Sequence, residues 1–572
     1  MQGMPTPIGL NPDQRAHDLE RMKSESFDVV VIGAGVTGAG TALDAATRGL
    51  SVALVEQRDY ASGTSSRSSK LFHGGLRYLE QFNFKLVMEA LHERNLMLNL
   101  LCPHLATPIA FMYPIQHPVW ERVYVGAGVL IYDVLAALGD NPLPHHRHLS
   151  RRKALRMAPA LRRETLVGAI VYSDARVDDA RHTMMISRTA SKYGAALAPS
   201  VRAIGFEREG DRVVGVLARD LEAGDEFVIR SRQVVNSTGV WTDKVQEKAG
   251  RGRIHVRASK GIHLVVPRDR IHSDTGMILR TDMSVLFVIP WGRHWIIGTT
   301  DTEWNLDLAH PAASRADIDY LLEHVNTVLK DPLRHDDIEG VFAGLRPLLE
   351  GESDATSRLS REHAVSQAVP GLISVAGGKY TTYRVMAEDA IDMVAANLDE
   401  KVPPAVTAST PLVGADGYRA LWNQREELAA RSGLHIARVE HLLGRYGSLI
   451  GEILELIRQR PELGRPLVGA DDYLAAEISY AASHEGALHL DDALTRRTRI
   501  SIETWDRGVA AAEPTARLMG EVLGWTEETV AREIDHYLAR VAAERESQEQ
   551  RDDQTADAAR LGAPDVRTGR SE

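Results

Sequence analysis

Three glycines near the start of the chain have the spacing that a dinucleotide phosphate requires. Gly33, Gly35 and Gly38 form a GxGxxG between an apolar run, FDVVVIG, and a small-residue stretch, GAGTALDAATRG. In such a turn the first glycine permits a tight bend, the second lets the backbone approach a pyrophosphate, and the third allows a helix to pack closely on a strand. The unpaired N–H groups of that helix then face the phosphates. The pattern predicts a dinucleotide-binding site.

An acidic residue completes this motif. Glu56 ends the next apolar run, SVALVE, so that strand, turn, helix and second strand follow one another. A carboxylate at this point accepts hydrogen bonds from both hydroxyls of a ribose and repels a 2′-phosphate. The motif therefore favours FAD or NAD over NADP.

Two later turns favour FAD over NAD. The segment VVNSTGVWTD has the turn from strand to glycine, at Thr238 and Gly239, that flavoproteins bring back to the cofactor. The segment ISVAGGKYTTYRVMAEDAID places Gly377 and Gly378 between a short strand and a helix that begins near Thr381. The N-terminus of that helix can stabilise the negative charge that gathers on a flavin pyrimidine during reduction.

The elements that must position these residues follow a layered α/β pattern. Strand-like runs at Phe27 to Ile32, Val52 to Glu56, Val234 to Asn236 and Leu372 to Val375 alternate with helix-like stretches over about residues 25–400. Alternation of this kind is typical of a sheet covered by helices. We therefore expect a Rossmann-like α/β fold for FAD with an inserted α+β substrate domain.

The rest of the chain divides by composition. The Pro- and Gly-rich residues 401–417 predict a linker, and the helical periodicity of residues 418–543 predicts a C-terminal all-α domain. Residues 1–24 and 544–572 are polar and are predicted to be disordered. Within the α/β region we assign FAD-binding parts to about 25–110, 165–255 and 340–400, and substrate-binding parts to about 111–164 and 256–339.

Composition excludes several classes of function. A chain of 572 residues that is 44% hydrophobic can form several globular domains, and its net charge of -11 argues against a nucleic-acid partner. The single cysteine, Cys102, excludes an internal disulfide and fits a reducing compartment. The 22 histidines show no metal-ligand spacing, so no metal site is expected. Because no apolar run has the length of a signal peptide or a membrane span, we expect a cytoplasmic protein.

Five separated segments have more distinctive sequences. They are SGTSSRSSKLFHGGLRYLE (62–80), YSDARVDDARH (172–182), WIIGTTDTEW (295–304), GLRPLL (344–349) and GGKYTTYR (377–384). In this order they resemble the FAD-dependent glycerol-3-phosphate dehydrogenases of the D-amino-acid-oxidase-like flavoproteins. EGALHLDDALTRRTRIS resembles the C-terminal helical domain of that family, so the resemblance covers about residues 27–540.

The resemblance implies roles for individual residues. It places a hydroxyl-rich segment along the FAD, at Thr64, Ser65, Ser66, Ser68 and Ser69. It places a cationic substrate cavity at His73, Arg77, Tyr78, Arg346, Arg361 and Lys379. Such a cavity suits a phosphomonoester better than a neutral polyol, because arginine offers forked donors and lysine a point charge.

The implied reaction is the oxidation of sn-glycerol 3-phosphate to dihydroxyacetone phosphate. A hydride passes from C2 of the substrate to flavin N5, and the hydroxyl proton passes to a base. We expect His73, Arg346 and Lys379 to be the catalytic residues. By its ordinary pKa His73 is the natural base, although an arginine or lysine can instead polarise the hydroxyl, so the base stays open.

The resemblance also implies a quinone in the membrane as the electron acceptor. The apolar run of residues 123–139 and the basic residues 147–163 form a segment suited to the inner face of an anionic membrane. A buried helix followed by a solvated basic face explains the same pattern and stays open. The oligomeric state is also open, with a homodimer as one option.

Three other functions are compatible with the sequence. A glycerol-3-phosphate oxidase would share the reductive half-reaction and pass its electrons to oxygen. An amino-acid oxidase would use the same FAD fold with a carboxylate-binding cavity. A non-catalytic regulator would bind the dinucleotide and use the helical domain for interactions.

Overall fold

A computed structural model describes residues 9–79, 83–137, 139–250, 252–281, 285–350 and 362–567. Its strands are β1 (Ser26–Ile32), β2 (Val52–Glu56), β3 (Leu71–Phe72), β4 (Thr107–Ile115), β5 (Arg147–Ser150), β6 (Gly168–Arg176), β7 (Ala196–Pro199), β8 (Val201–Glu209), β9 (Arg212–Asp220), β10 (Glu226–Asn236), β11 (Val256–Pro267), β12 (Gly276–Arg280), β13 (Val285–Trp291), β14 (His294–Gly298), β15 (Thr302–Trp304), β16 (Gly340–Leu349), β17 (His363–Val369), β18 (Leu372–Gly377), β19 (Pro466–Leu467) and β20 (Ala470–Leu474). Its α-helices are α1 (Pro12–Ser24), α2 (Val36–Thr47), α3 (Phe84–Leu96), α4 (Trp120–Ala137), α5 (Arg151–Met157), α6 (Asp179–Lys192), α7 (Thr242–Lys248), α8 (Arg315–Asn326), α9 (Tyr383–Ala396), α10 (Tyr418–Asn423), α11 (Arg425–Ser432), α12 (Ile436–Tyr446), α13 (Ile450–Gln459), α14 (Ala475–His484), α15 (Leu490–Asp492), α16 (Ile500–Glu503), α17 (Val509–Leu523), α18 (Glu527–Glu549) and α19 (Asp553–Arg560).

The first sheet has a parallel centre. Its strands follow the order β17-β18-β10-β1-β2-β7, with β9 on β10 and β8 on β9. β1 runs parallel to β2 and β10, and β10 runs parallel to β18. Val29, Val30 and Val31 on β1 are fully buried because both faces of the sheet are covered, as expected for an uninterrupted apolar run. β7 also runs parallel to β2, so the carboxyl ends of five parallel strands meet at one edge, where doubly wound folds bind their ligands.

The second sheet is mostly antiparallel and has ten strands. Its order is β15-β11-β14-β13-β12-β4-β6-β3, with β16 on β11 and β5 on β6. Helix α8 packs against β11, β13 and β14. The fold class predicted for residues 25–400 is confirmed.

The division into FAD-binding and substrate-binding parts differs in detail from our assignment. Strands β6 and β16 fall within the ranges assigned to FAD binding, yet both lie in the second sheet. β6 pairs antiparallel with β4, and β16 pairs antiparallel with β11 over its whole length. The local apolar pattern predicts a strand but carries no information about its partner.

The C-terminal domain is helical from α10 to α19, as predicted, with one exception. The predicted helical domain is confirmed, and it includes one small hairpin, in which β19 pairs with β20. Gly469, between the two strands, has a φ of 82°, a conformation that favours glycine. This glycine allows the tight turn.

The prediction that both chain ends are disordered is wrong for their described parts. Helix α1 buries Leu19 and Met22 against the first sheet, and α19 buries Ala556. Arg567 is buried and lies 2.9 Å from Asp492. A few apolar contacts and one buried ion pair suffice to order these segments, and average composition does not reveal them.

Buried ion pairs join the helical domain to the first sheet. The carboxylate of Asp59, just after β2, accepts from Arg496 at 2.5 Å and from Arg497 at 2.7 Å. Arg181 on α6 pairs in the same way with Glu485. Removing one partner of such a pair leaves an uncompensated buried charge, at a cost of about 3–5 kcal/mol.

His489 provides a pH-dependent link between the domains. Its ring lies 2.8 Å from Glu222 and 3.0 Å from Glu533. Burial lowers the pKa of His489, but these carboxylates outweigh it and raise the pKa to about 9. The charged ring therefore stabilises the folded protein by up to about 3 kcal/mol. This contribution is complete below the ordinary histidine pKa near 6.5 and is lost as the pH rises through 9.

Between pH 6.5 and 9.5 we expect the thermal midpoint of the wild type to fall more than that of His489→Gln. Parallel decline of the two proteins would contradict this link.

Candidate active site

The turn between β1 and α2 has the shape of a dinucleotide cradle. Gly33 has a φ of 99°, and a Cβ placed on it would lie 3.0 Å from the carbonyl oxygen of Ser237. A Cβ on Gly38 would lie 1.8 Å from the carbonyl oxygen of Gly33. The first hydrogen bond of α2 runs from Ala39 N to Gly35 O, and Val36 N donates to the Ser65 hydroxyl, so the helix backbone leaves the N–H groups of Thr37 and Gly38 for an anion. Glycine is therefore required here for backbone reasons.

Glu56 lies beside this turn at the carboxyl end of β2. Its carboxylate accepts from the backbone N–H of Ala34 at 2.9 Å and of Arg58 at 2.8 Å. Burial raises the pKa of Glu56. The glycine turn, the open helix N-terminus and the neighbouring acid together fit the pyrophosphate and ribose of a dinucleotide.

Two further turns meet at the same sheet edge. After β10, Thr238 donates its hydroxyl to Asn236 at 2.7 Å, and Gly239 has a φ of 59° with open space beside its Cα. At the end of β18, Gly377 and Gly378 have φ values of 80° and 76°. Side chains at these two glycines would clash with Glu362, Leu349 and Met386. Both turns bring backbone, rather than side chains, to the edge.

The hydroxyl segment (residues 64–69) runs from this cradle to the second sheet. The Ser65 hydroxyl accepts from Val36 N at 2.8 Å, which places it at the N-terminus of α2. The other hydroxyl contacts are Thr64 with Leu345 O at 2.6 Å, Ser68 with Asp179 at 2.7 Å and Ser69 with His263 at 2.8 Å. The backbone carbonyl of Ser66 accepts a hydrogen bond from Lys70 Nζ. Ser65 thus touches the cradle directly, and the cofactor contacts of the other hydroxyls stay a prediction.

Asp179 holds the hydroxyl segment in place, a role that the sequence did not reveal. Its carboxylate accepts from Ser68 and from Lys70 Nζ at 2.8 Å, and also pairs with Arg499 of the helical domain. Its backbone carbonyl accepts from the Tyr380 hydroxyl at 2.6 Å. One residue thus links the hydroxyl segment, the GGKYTT turn and the C-terminal domain.

Four of the predicted site residues lie together beside the GGKYTT turn. The backbone N–H of His73 donates to the Thr381 hydroxyl at 3.2 Å. Lys379 Nζ lies 3.7 Å from the ring centroid of Tyr78, which is a close cation–π contact. Lys379, Tyr78, His73 and Thr381 therefore form one corner of the site.

Arg346 approaches from the second sheet, on β16. Its guanidinium donates to Thr300 O and to the Thr299 hydroxyl, each at 3.2 Å, and lies 3.5 Å from Asp301. Gly344 lies two residues before Arg346 on the same strand. It packs so closely on the hydroxyl segment that a Cβ placed on it would lie 2.4 Å from the carbonyl oxygen of Arg67. The strand thus carries Arg346 towards the end of the cradle.

His263 is a site residue that the sequence reasoning missed. It lies on β11, is 2% exposed, and places Nε2 2.8 Å from the Ser69 hydroxyl. Its Nδ1 has no partner among the described residues, and its ring stacks on Phe342. Burial, with the positive charges of Arg346 and Lys70, lowers the pKa of His263 well below the ordinary value. A histidine inside the apolar strand GIHLVV was the only sequence signal.

Two predicted substrate residues are not tested by the structure. Arg361 lies outside the described residues, and of Arg77 only the backbone is described, in a short 3₁₀ helix at Leu76–Leu79. Within the described ranges no group of histidine, cysteine or carboxylate side chains is arranged to hold a metal ion.

Comparison with known proteins agrees with this geometry. Residues 28–384 match the family described as FAD dependent oxidoreductase, and residues 405–530 match the C-terminal domain of alpha-glycerophosphate oxidase. The glycerol-3-phosphate dehydrogenase of Mycobacterium leprae is 59% identical over 98% of this chain and 95% of its own length. The human mitochondrial glycerol-3-phosphate dehydrogenase is 36% identical over 91% of this chain and 74% of its own.

Solved structures show the same relationship. The X-ray structure of the glycerol-3-phosphate dehydrogenase from Bacillus halodurans, complexed with FAD, is 30% identical. It matches 93% of this chain and 97% of its own with a TM-score of 0.76. The predicted cofactor, FAD, is confirmed at the level of the family, as is the resemblance drawn from the five sequence segments. The chain belongs to the FAD-dependent oxidoreductases and, among them, to the glycerol-3-phosphate dehydrogenase family.

Proposed function

We propose that this enzyme oxidises sn-glycerol 3-phosphate to dihydroxyacetone phosphate and passes the electrons to a membrane quinone. The observation that carries the proposal is the corner at the end of β18, where Lys379 packs on Tyr78 beside His73 and Thr381. Arg346, on β16 of the second sheet, is proposed to reach the same substrate. A phosphomonoester has nearly two negative charges, and cations from two sides can bind and orient it. Arg77 and Arg361 are proposed to add to this cluster.

The residues of this chain have separate tasks in the reaction. Bound FAD supplies the hydride acceptor at N5. Gly33 and Gly38 allow the tight turn and the close helix, Gly35 is proposed to leave room for the pyrophosphate, and Glu56 is proposed to accept from the ribose. Lys379 and Arg346 fix the phosphate and direct C2 of the substrate, which lowers the entropy cost of reaching the reactive geometry.

The C2 hydroxyl proton requires an acceptor. His73 is our first candidate because its backbone is fixed by Thr381 in the same corner as Lys379. His263 is the second candidate, since its Nδ1 has no described partner and its lowered pKa keeps the ring neutral near pH 7.

Substitution of each histidine by glutamine tests which one is the base. A general base contributes about 10²- to 10⁴-fold to the rate, so glutamine at the true base should slow flavin reduction at saturating substrate by that factor. Glutamine at the other histidine should mainly change substrate affinity.

Lys379 offers the first test of substrate recognition. In the FAD-loaded protein, Lys379→Met is expected to lower kcat/KM for glycerol 3-phosphate by about a hundredfold or more, because one buried charge partner of the phosphate is lost. The flavin absorption spectrum should not change. Arg458→Gln, at an exposed position on α13, is the control and should match the wild type. A Lys379→Met enzyme with unaltered kcat/KM would remove Lys379 from the substrate site.

Transfer to a membrane quinone requires access to the bilayer, and α4 has a suitable surface. No helix among the described residues has the length and apolar content needed to cross a membrane. However, α4 exposes a row of apolar side chains, Trp120, Val123, Tyr124, Leu130, Ile131 and Val134. This exposed row supports membrane contact over the buried helix that we left open as an alternative. The nearby Arg151, Arg152 and Arg156 are also exposed, as expected for contact with anionic lipid.

Membrane contact through α4 predicts a selective loss of binding. Purified wild type should float with anionic liposomes, whereas Val123→Asp combined with Leu130→Asp should remain at the bottom of the gradient. Val468 is 69% exposed in the helical domain, close to the 68% of Val123, so Val468→Asp is the matched control and should float. Equal flotation of all three proteins would exclude α4 as the contact surface.

A further inference from the structure

A cavity of about 60 Å³ lies away from the substrate residues, between the hydroxyl segment and the C-terminal helices. Ser66 and Arg67 of the hydroxyl segment form one wall of the cavity, and Phe342 on β16 forms a second wall. Arg540 on α18 and Arg560 on α19 line it from the helical domain. Lys379, Arg346 and Tyr78 do not line it. The cavity is therefore separate from the proposed substrate site.

The charges around this cavity do not balance. Its charged walls are Arg67, Arg499, Arg540, Arg560 and Glu544. Arg499 is neutralised by Asp178 and Asp179, and Arg540 by Asp491. Glu544 is shared by Arg540 at 3.3 Å and Arg560 at 3.7 Å, and Asp307 and Asp565 add to the negative charge near Arg560. Arg67 has no carboxylate within ion-pair distance among the described residues, so its charge has no counterion in the described wall.

Donor atoms in the wall also lack partners. Arg560 is 3% exposed, and its Nη1 has no hydrogen-bond acceptor among the described residues. The same is true of Arg540 Nε. Arg67 donates to one acceptor in the described protein, the carbonyl of Ala309 at 3.2 Å. Burial, with the positive charges of Arg58 and Arg540, lowers the pKa of Arg67 well below its usual range.

Several other buried arginines of this protein have a carboxylate partner. Arg497 pairs with Asp59 at 2.7 Å, Arg181 pairs with Glu485, and Arg94 pairs with Asp174 at 2.7 Å. Arg58 and Arg507 are also buried, and each has a nitrogen without an acceptor among the described residues. The cavity differs from those positions because it brings Arg67 and Arg560 to one space with room for an anion, which would compensate the buried charge.

We propose that this cavity binds an inorganic phosphate ion. A buried water needs about 10–15 Å³, so the cavity has room for a small polyatomic anion. Arg67 and Arg560 supply charge-assisted donors, and Ser66, Ser501 and Ser547 line the same space. The ion would bind the last two helices to the hydroxyl segment, whose Ser65 touches the FAD cradle.

The test measures phosphate binding by calorimetry on FAD-loaded protein that carries Lys379→Met, which weakens phosphate binding at the substrate site. This protein should bind inorganic phosphate and gain thermal stability from it. Adding Arg67→Gln should weaken phosphate affinity by about tenfold or more, through the loss of a charge-assisted pair. Adding Arg458→Gln instead should leave the affinity unchanged. Equal affinity with Arg67→Gln and Arg458→Gln would overturn the proposal.

Two further measurements do not depend on the folding of the Arg67 variant. Crystals of the FAD-loaded wild type soaked in selenate should show an anomalous selenium peak between Arg67 and Arg560, and a cavity without this peak would contradict the proposal. In the Lys379→Met protein, adding Arg67→Gln should weaken the binding of inorganic phosphate and leave that of glycerol 3-phosphate unchanged, because the cavity has no space for the glycerol. An equal loss of affinity for both ligands would overturn the assignment to the free ion.

Discussion

The buried carboxylate of Asp179 is the contact on which the arrangement of this site depends. It holds Lys70, which is completely buried, and Ser68 at one end of the hydroxyl segment, and it pairs with Arg499 of the helical domain. Burial lowers the pKa of Lys70, so its charge needs this counterion. Loss of such a buried partner costs about 3–5 kcal/mol. The same residue fixes Tyr380, next to Lys379, and so the cofactor segment and the substrate segment share one anchor.

The two sheets contribute different halves of the chemistry. The carboxyl ends of the parallel strands provide the glycine turns and Glu56, which fit a dinucleotide through backbone geometry and one acid. The antiparallel sheet provides Arg346 on β16 and His263 on β11, two neighbouring strands. A substrate held between the sheets would meet cations from both, which accounts for a phosphorylated alcohol as the proposed substrate. The helical domain adds no residue to this corner but fixes the segments that form it through buried ion pairs.

Sequence reasoning succeeded where the interactions are local. The cradle could be predicted from Gly33, Gly38 and Glu56 because strand, turn, helix and strand follow directly along the chain. It failed where partners are distant: His263 meets Ser69 across almost two hundred positions, and Asp179 meets Arg499 across more than three hundred. It also failed for the chain ends, since the composition of residues 544–572 gives no sign that Arg567 is buried against Asp492. For the same reason, nothing in the sequence indicated that β6 and β16, within ranges assigned to FAD binding, would lie in the second sheet.

The most direct measurement is anaerobic reduction of the bound flavin by glycerol 3-phosphate, followed by the loss of flavin absorption. This reports cofactor, substrate and hydride transfer together, without an added electron acceptor. The account predicts rapid and complete bleaching with glycerol 3-phosphate and none with D-alanine or glycerol. Bleaching by D-alanine alone would contradict it and favour an amino-acid oxidase, and a flavin that none of the three compounds reduces would contradict any catalytic role for the cationic corner at Lys379 and Arg346.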